Sequence, residues 1–186
     1  MTHRDFAKAF RIEKGKGFRL KDIAPGETLG LKSKQDAQKT LAGGVALLSE
    51  LQEKLYAQDR WALLVIFQAM DAAGKDSAVK HVMSGVNPQG CQVYSFKAPS
   101  PEEPDHDFLW RTMRCLPERG RNTTTKHAPW YVVPADHKWF TRLAVAAALI
   151  DALEELDLAF PKVDTEKRKE LQAARVALTS ESGGAG

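Results

Sequence analysis

The sequence predicts an α/β domain with a mostly parallel sheet covered by helices on both faces. Short apolar runs of strand length, at 62–67, 91–96 and 130–133, alternate with longer segments of helical spacing. Strands separated by helices need crossover connections, which favour parallel pairing. The 186 residues, 43% hydrophobic and 27% charged, suffice for one core of ordinary size.

The elements follow in order. Residues 1–33 form a basic arm, rich in Arg4, Lys8, Arg11, Arg19 and Lys21 and punctuated by Gly15, Gly17, Pro25, Gly26 and Gly30. It reads as an extended wrap over the domain that attracts polyanions by charge alone, or equally as a solvated, partly mobile segment. The core spans 34–178. Ser33 or Lys34 opens a helix to about Ala57, with Ala37, Leu41, Val45, Leu48, Leu51 and Leu55 on one stripe. Ala62 to Phe67 is the first strand, and a helix from Gly74 to about Gly85 buries Ala78, Val79 and Val82. Asn87-Pro-Gln-Gly90 is a turn, and Cys91 to Phe96 alternates as a second strand. Ser100 starts a helix carrying Phe108, Leu109, Trp110, Met113 and Leu116 to Pro117. Trp130 to Val133 is a further strand, ended by Pro134. From His137 a long helix carries Trp139, Phe140, Leu143, Ala147, Ile150 and Leu153, and a charged helix runs from Thr165 to about Leu178. The Ser- and Gly-rich tail, 179–186, should fray.

Composition excludes several classes. No apolar run approaches the ~20 residues of a membrane span, and Met1-Thr-His-Arg-Asp-Phe6 lacks a signal-peptide apolar region, so the cytoplasm is expected. A net charge of +3 is too small for a general nucleic-acid binder. Cys91 and Cys115 have neither metal nor redox spacing and suit core positions in a reducing compartment.

The chemistry concentrates at Gln68-Ala-Met-Asp-Ala-Ala-Gly-Lys-Asp76. A strand emptying into small residues, then Gly74-Lys75, then a helix, builds a phosphate cradle from loop amides and a helix N-terminus. It resembles the P-loop, GxxxxGK[S/T], with Ala69 in place of the first glycine and Asp76 in place of the Ser or Thr. The bland alternative is a tight strand-to-helix turn with Lys75 solvated. An acid inside a phosphate cradle repels its ligand unless a cation intervenes, so Asp71 and Asp76 read together as Mg²⁺ ligands. Asp76 also fits a first-turn acid complementing the helix dipole.

Longer blocks carry a resemblance. Val65 to Asp76 is similar to the Walker A segment of the polyphosphate kinase 2 family. So are Asn87-Pro-Gln-Gly90, Phe96-Lys-Ala-Pro-Ser100, Asp107-Phe-Leu-Trp-Arg111, Leu116-Pro-Glu-Arg-Gly-Arg121 and His127 to Asp136, in family order from about Leu31 to Pro161. The resemblance implies a P-loop kinase core of thymidylate-kinase type, Mg²⁺, and phosphoryl transfer between inorganic polyphosphate and a nucleoside mono- or diphosphate. By this resemblance Asp71 and Lys75 are catalytic and Asp71 holds the metal, beside Asp76 as read from its charge above. Backbone from Ala69, Met70, Ala72, Ala73 and Gly74 cradles a phosphate. Lys80, Arg111, Arg114 and Arg121 are candidate cations along the polymer. Arg111 and Arg114 share a helix face, and a solvated face explains them equally. For Lys80 the solvated reading is favoured. Self-association into a homo-oligomer is expected, with Trp139 as an exposed aromatic position.

One departure is large. Arg121 runs straight into Asn122-Thr-Thr-Thr-Lys-His127, so the family's Walker B strand and arginine-rich lid have no counterpart. Losing a central strand would expose unpaired edges and apolar surface, so an omitted stretch between Arg121 and Asn122 is the favoured expectation. Under true deletion, the chain becomes a non-catalytic polyanion or nucleotide binder. An ATP-dependent nucleoside monophosphate kinase and a structural domain with a P-loop-like turn are the remaining readings.

Overall fold

The computed structural model describes residues 1–12, 16–70, 72–107, 109–113, 115–116, 122–123 and 129–182. Its centre is helical. Helix α1 (His3–Phe10) is followed by the short strand β1 (Arg11–Ile12). Helix α2 (Lys34–Gln58) leads to β2 (Trp61–Ala62), and α3 (Lys75–Val82) follows the loop. Then come a one-turn helix α4 (Trp110–Met113), β3 (Asn122–Thr123), β4 (Trp130–Tyr131), α5 (Lys138–Glu154) and α6 (Thr165–Ser182). Among the described residues no helix is long and apolar enough to cross a membrane.

Helix α5 is the axis of the core. Ten of its residues are buried, including Phe140, Leu143, Ala147, Ile150 and Leu153, because its apolar residues run around more than one face. One face meets Leu48 and Leu51 of α2 and Val82 of α3. The other meets Phe6, Ala7 and Phe10 of α1, whose rings stand edge-on to Phe140 at 6.2 and 5.7 Å. Ser33 caps α2 by accepting from the Asp36 amide, which sets its start where the spacing places it.

Residues 1–33 differ from the expected extended arm. Thr2 and Asp5 form a reciprocal capping box that starts α1, and three apolar residues of α1 join the core. The arm's cations also serve the fold. Arg4 donates to Glu154, and Arg11 donates to Glu155 at 2.9 Å while facing the buried Asp151 at 3.6 Å. That hydrogen bond to Glu155 holds the Arg11 guanidinium above its ordinary pKa. Trp139, expected to be exposed, is half-buried against Phe140 and stacked beside His137. Helix α6 is exposed along 165–176 and extends past the expected end at Leu178.

The sheet is less complete than expected among the described residues. The described residues form two two-stranded ladders in place of a mostly parallel sheet. β1 pairs antiparallel with β4, and β2 pairs parallel with β3 through Trp61↔Asn122 and Ala62↔Thr123. The strand expected at 62–67 ends at Ala62, and beyond it Leu64 is 50% and Ile66 81% exposed. The strand expected at 91–96 joins no ladder among the described residues, with Val93 70% and Phe96 51% exposed. The helix expected from Ser100 shrinks to a 3₁₀ turn at Glu103–Asp105 and the single turn of α4. Strand-like sequence without a neighbour cannot satisfy its backbone in a ladder, and these segments have none among the described residues.

Candidate phosphate-loop site

The loop leaves the bare segment 63–67 and turns into α3. Ala73 donates its amide to the Met70 carbonyl at 3.3 Å, closing a turn. Ala72 has φ 62°, left-handed for a residue with a side chain, at a cost on the order of 1 kcal/mol. Gly74 has φ 87° and is the N-cap of α3 without any side-chain cap. The left-handed turn is what glycine supplies here. Ala78 donates to the Gly74 carbonyl at 2.9 Å, while the first-turn amides of Lys75, Asp76 and Ser77 have no intrahelical acceptor.

Lys75 folds back over this loop. Its ammonium donates to the carbonyls of Ala69 and, at 3.1 Å, Met70. The cation therefore stands over the loop itself, held by two neutral carbonyls that an anion could replace. Asp76 lies exposed in the first turn of α3, and Lys80 exposed in its last. Ala69, Met70, Ala72, Ala73 and Gly74 thus lie in the loop that leads into Lys75 and Asp76 of α3, with Met70 85% exposed. Asp71, Arg114 and Arg121 lie outside the described residues. Among the described residues no three His, Cys, Asp or Glu side chains converge as a metal site.

Arg111 has partners of its own. Its Nη2 donates to the Lys97 carbonyl at 3.0 Å, and its guanidinium lies 5.0 Å from the Phe96 ring centre. Glu103 Oε1 stands 3.3 Å from Nε, an ion pair whose angle is not that of a hydrogen bond. Asn87 caps the turn at Pro88–Gly90 by accepting from the Gln89 amide, which is turn chemistry. Burial pushes the Cys91 thiol pKa up, in keeping with a packing role beside the core.

Sequence reasoning missed two cations. Lys138 and Arg142, one turn apart on α5, line a shallow notch with Ala73, Gly74 and Ser77. Arg142 Nη2 donates to the Ser77 hydroxyl at 2.9 Å, and its buried Nε has no partner. The one local signal is two basic residues in the opening turns of a helix that follows a strand. The proximity of α5 to the loop is a tertiary fact.

The model of the family Polyphosphate kinase 2 (PPK2) matches residues 31–123 and 121–161, most of the chain. The chain belongs to the polyphosphate kinase 2 family. It is 54% identical over 114 residues to an ADP-polyphosphate phosphotransferase of Rhodopseudomonas palustris, and that match spans 61% of this chain and 39% of the relative. It is 25% identical over 262 residues to an AMP/ADP-polyphosphate phosphotransferase of Meiothermus ruber, covering 87% of this chain and 98% of the relative. The fold matches a crystal structure of Polyphosphate Kinase 2 from Arthrobacter aurescens TC1. The TM-score is 0.79, with 29% identity over 95% of this chain and 97% of that one. That likeness puts the chain in the P-loop kinase-like class. The two family matches meet at 121–123. The Meiothermus pairing uses more positions, 262, than this chain has residues, so that relative carries residues without a counterpart here.

Proposed function

We propose that this chain is a polyphosphate-dependent nucleotide kinase, moving a phosphoryl group in line between inorganic polyphosphate and a nucleoside mono- or diphosphate. The observation that carries this reading is the loop at 69–75. A left-handed Gly74 opens α3 there, and Lys75 stands over the carbonyls of Ala69 and Met70 within a stretch matched by the family. The complete core in this reading is a mostly parallel sheet with helices on both faces, of thymidylate-kinase type. The protein would work in the cytoplasm as a homo-oligomer.

Phosphoryl transfer asks mainly for positioning and charge neutralisation, because negative charge spreads over the equatorial oxygens. Lys75 exchanges its carbonyl partners for a phosphate oxygen, and the free amides of Lys75, Asp76 and Ser77 hold the same group at the positive end of α3. Asp76, with Asp71, would hold Mg²⁺, an ion that keeps much of its water and needs only one or two protein carboxylates. When bound, the ion screens these carboxylates from the phosphate oxygens. Lys80, Arg114 and Arg121 would pair with further units of the polymer. Arg111 can join them only by giving up Glu103. No general base is needed, since the acceptor phosphate is largely ionised near neutral pH, its second pKa being about 6.

The test is turnover by the complete chain. Long-chain polyphosphate with ADP or AMP and Mg²⁺ should give the next higher nucleotide, and GDP should be tried as a further acceptor. ATP as the only donor should not support transfer. No nucleotide-dependent loss of polyphosphate would remove the reading. The bare segments 63–67 and 91–96 favour a second one, a polyanion or nucleotide binder without turnover. Retention on immobilised polyphosphate with steep salt dependence and no product would identify it.

A further inference from the structure

Among the described residues, the half-buried lysines and arginines are Arg11, Lys54, Lys75, Arg111 and Arg142. Arg11, Lys54 and Arg111 each stand beside a carboxylate. Lys75 and Arg142 face none among the described residues, and both border the turn at Gly74. The Nε of Arg142 is withdrawn from water without a hydrogen-bond partner. A cation held this way without a counter-charge is costly, so an anion in the notch beside it would stabilise it. Lys138, one turn away on α5 and exposed, adds a second charge to the same notch.

Ser77 supplies the donor. Its Oγ accepts from Arg142 Nη2 at 2.9 Å, and its own O–H meets no acceptor among the described residues. A helical serine can turn its hydroxyl onto the carbonyl four residues back. Here the guanidinium occupies a lone pair and leaves the O–H for the notch. Val82 of α3 packs in one cluster with Val145 and Ile150 of α5, so the two helices that carry the pair are fixed to each other. Lys75, by contrast, stands over Ala69 and Met70, at the opening of the same loop. We infer that Ser77, Arg142 and Lys138 form a second phosphate subsite, which takes the neighbouring unit of a phosphate chain whose first unit lies at Lys75. Ser77 donates to an oxygen of that unit, Arg142 positions the hydroxyl, and the two cations balance the charge. The ligand class is two or more linked phosphates, from inorganic polyphosphate or a nucleoside diphosphate. The subsite rests on the reading of 69–75 as a phosphate loop, and turnover is not needed for it.

The full chain and its variants are titrated calorimetrically with orthophosphate, tripolyphosphate and ADP in the presence of Mg²⁺, and circular dichroism checks each fold. Ser77→Ala should weaken tripolyphosphate about ten- to a hundredfold, the worth of a hydrogen bond to a charged group, and leave orthophosphate within about twofold. Ser77→Thr keeps a hydroxyl and should restore most of the affinity. Lys138→Ala, at an exposed position, should cost about two- to fivefold, and high salt should erase that loss. Arg142→Lys keeps the charge without the planar guanidinium. It should weaken tripolyphosphate alone yet add little to Ser77→Ala, and fully additive losses would remove Arg142 as the positioning residue. Loss confined to tripolyphosphate assigns the subsite to the polymer, and loss that extends to ADP assigns it to the nucleotide's phosphates. Both support it. Unchanged tripolyphosphate affinity in Ser77→Ala and Lys138→Ala overturns the inference, as does an equal loss of orthophosphate, which would mean a single phosphate position. If Lys75→Ala weakens every ligand while Ser77→Ala weakens none, the loop stands and the subsite falls. Selective loss in a chain that forms no nucleotide keeps the subsite and removes the kinase reading.

Discussion

The helical half and the strand half of this chain obey the same chemistry with opposite results. Around α5, the residues Phe6, Phe10, Leu48, Phe140 and Ile150 are all at most 3% exposed. In 63–67 and 91–96, residues as apolar as Ile66, Val93 and Phe96 face water. Composition does not separate the halves. A helix closes its own backbone hydrogen bonds and needs only a face to pack, whereas a strand must borrow every bond from a neighbour. Helices can therefore pack where strand-like segments, lacking a neighbour among the described residues, stay outside any ladder. The candidate phosphate loop lies at the border, with α3 on one side and, on the other, a segment that joins no ladder among the described residues.

The largest effect should come from the helical side. Phe140 touches the rings of Phe6, Phe10 and Trp139, and it is fully buried. Phe140→Ala should cost about 3–5 kcal/mol in denaturant unfolding. Loss of less than 1 kcal/mol would show that the helical half is not the stable one. At the border, Lys75→Ala should leave stability within about 0.5 kcal/mol, because its ammonium bonds exposed loop carbonyls. It should weaken pyrophosphate binding by a factor of about ten to a hundred, the worth of one hydrogen bond to a charged group. Calorimetric titration measures both, and unchanged affinity would remove Lys75 from the site.

What the sequence disclosed follows the same division. The starts of α2, α3 and α5 were legible from Ser33, Gly74 and His137, since caps and helical spacing are local signals. The turn at Gly74 that opens α3 was legible, and so was the family. Helix α1 was obscured because its cations drew attention from Thr2, Asp5, Phe6 and Phe10, whose capping box and spacing were there to be read. The strands misled because 62–67 and 91–96 carry a pattern that only a distant partner can realise. Arg142 was invisible for a related reason, its partner Ser77 lying far away in sequence.

Two smaller predictions probe how the helical half is held together. Gly85 packs where α3 meets α2, and a Cβ there would stand 2.7 Å from Val45 Cγ1. Valine has little rotamer freedom to yield, so Gly85→Ala should cost roughly 1–3 kcal/mol. A neutral result would mean the contact between α2 and the end of α3 is loose. Glu154 ties α1 to α5. Burial pulls its carboxyl pKa up, and hydrogen bonds and charge from His3 and Arg4 outweigh that, leaving it below its ordinary 4.5. A depressed carboxyl stabilises the fold above the unfolded value, and that stabilisation is lost as pH falls through the folded one. Glu154→Gln should therefore cost under about 1 kcal/mol at pH 7, with the two proteins converging in thermal unfolding as pH drops below the depressed value of the folded carboxyl. A difference that persisted into acid would assign the effect to packing.

The smallest expected effect is the most discriminating. Ile66 is 81% exposed, the extreme case on the strand side, and nothing in the fold accounts for a large apolar residue there. Ile66→Ser should change unfolding free energy by no more than about 0.5 kcal/mol, the usual range for a solvent-facing position. Done beside Phe140→Ala, it sets the two halves against each other on one scale. A loss of 2 kcal/mol or more would mean that the isoleucine is buried in solution and that the segment 63–67 is already covered. The contrast between the halves would then belong to the isolated chain, and concentration dependence of the unfolding midpoint would tell a second copy from a rearranged strand.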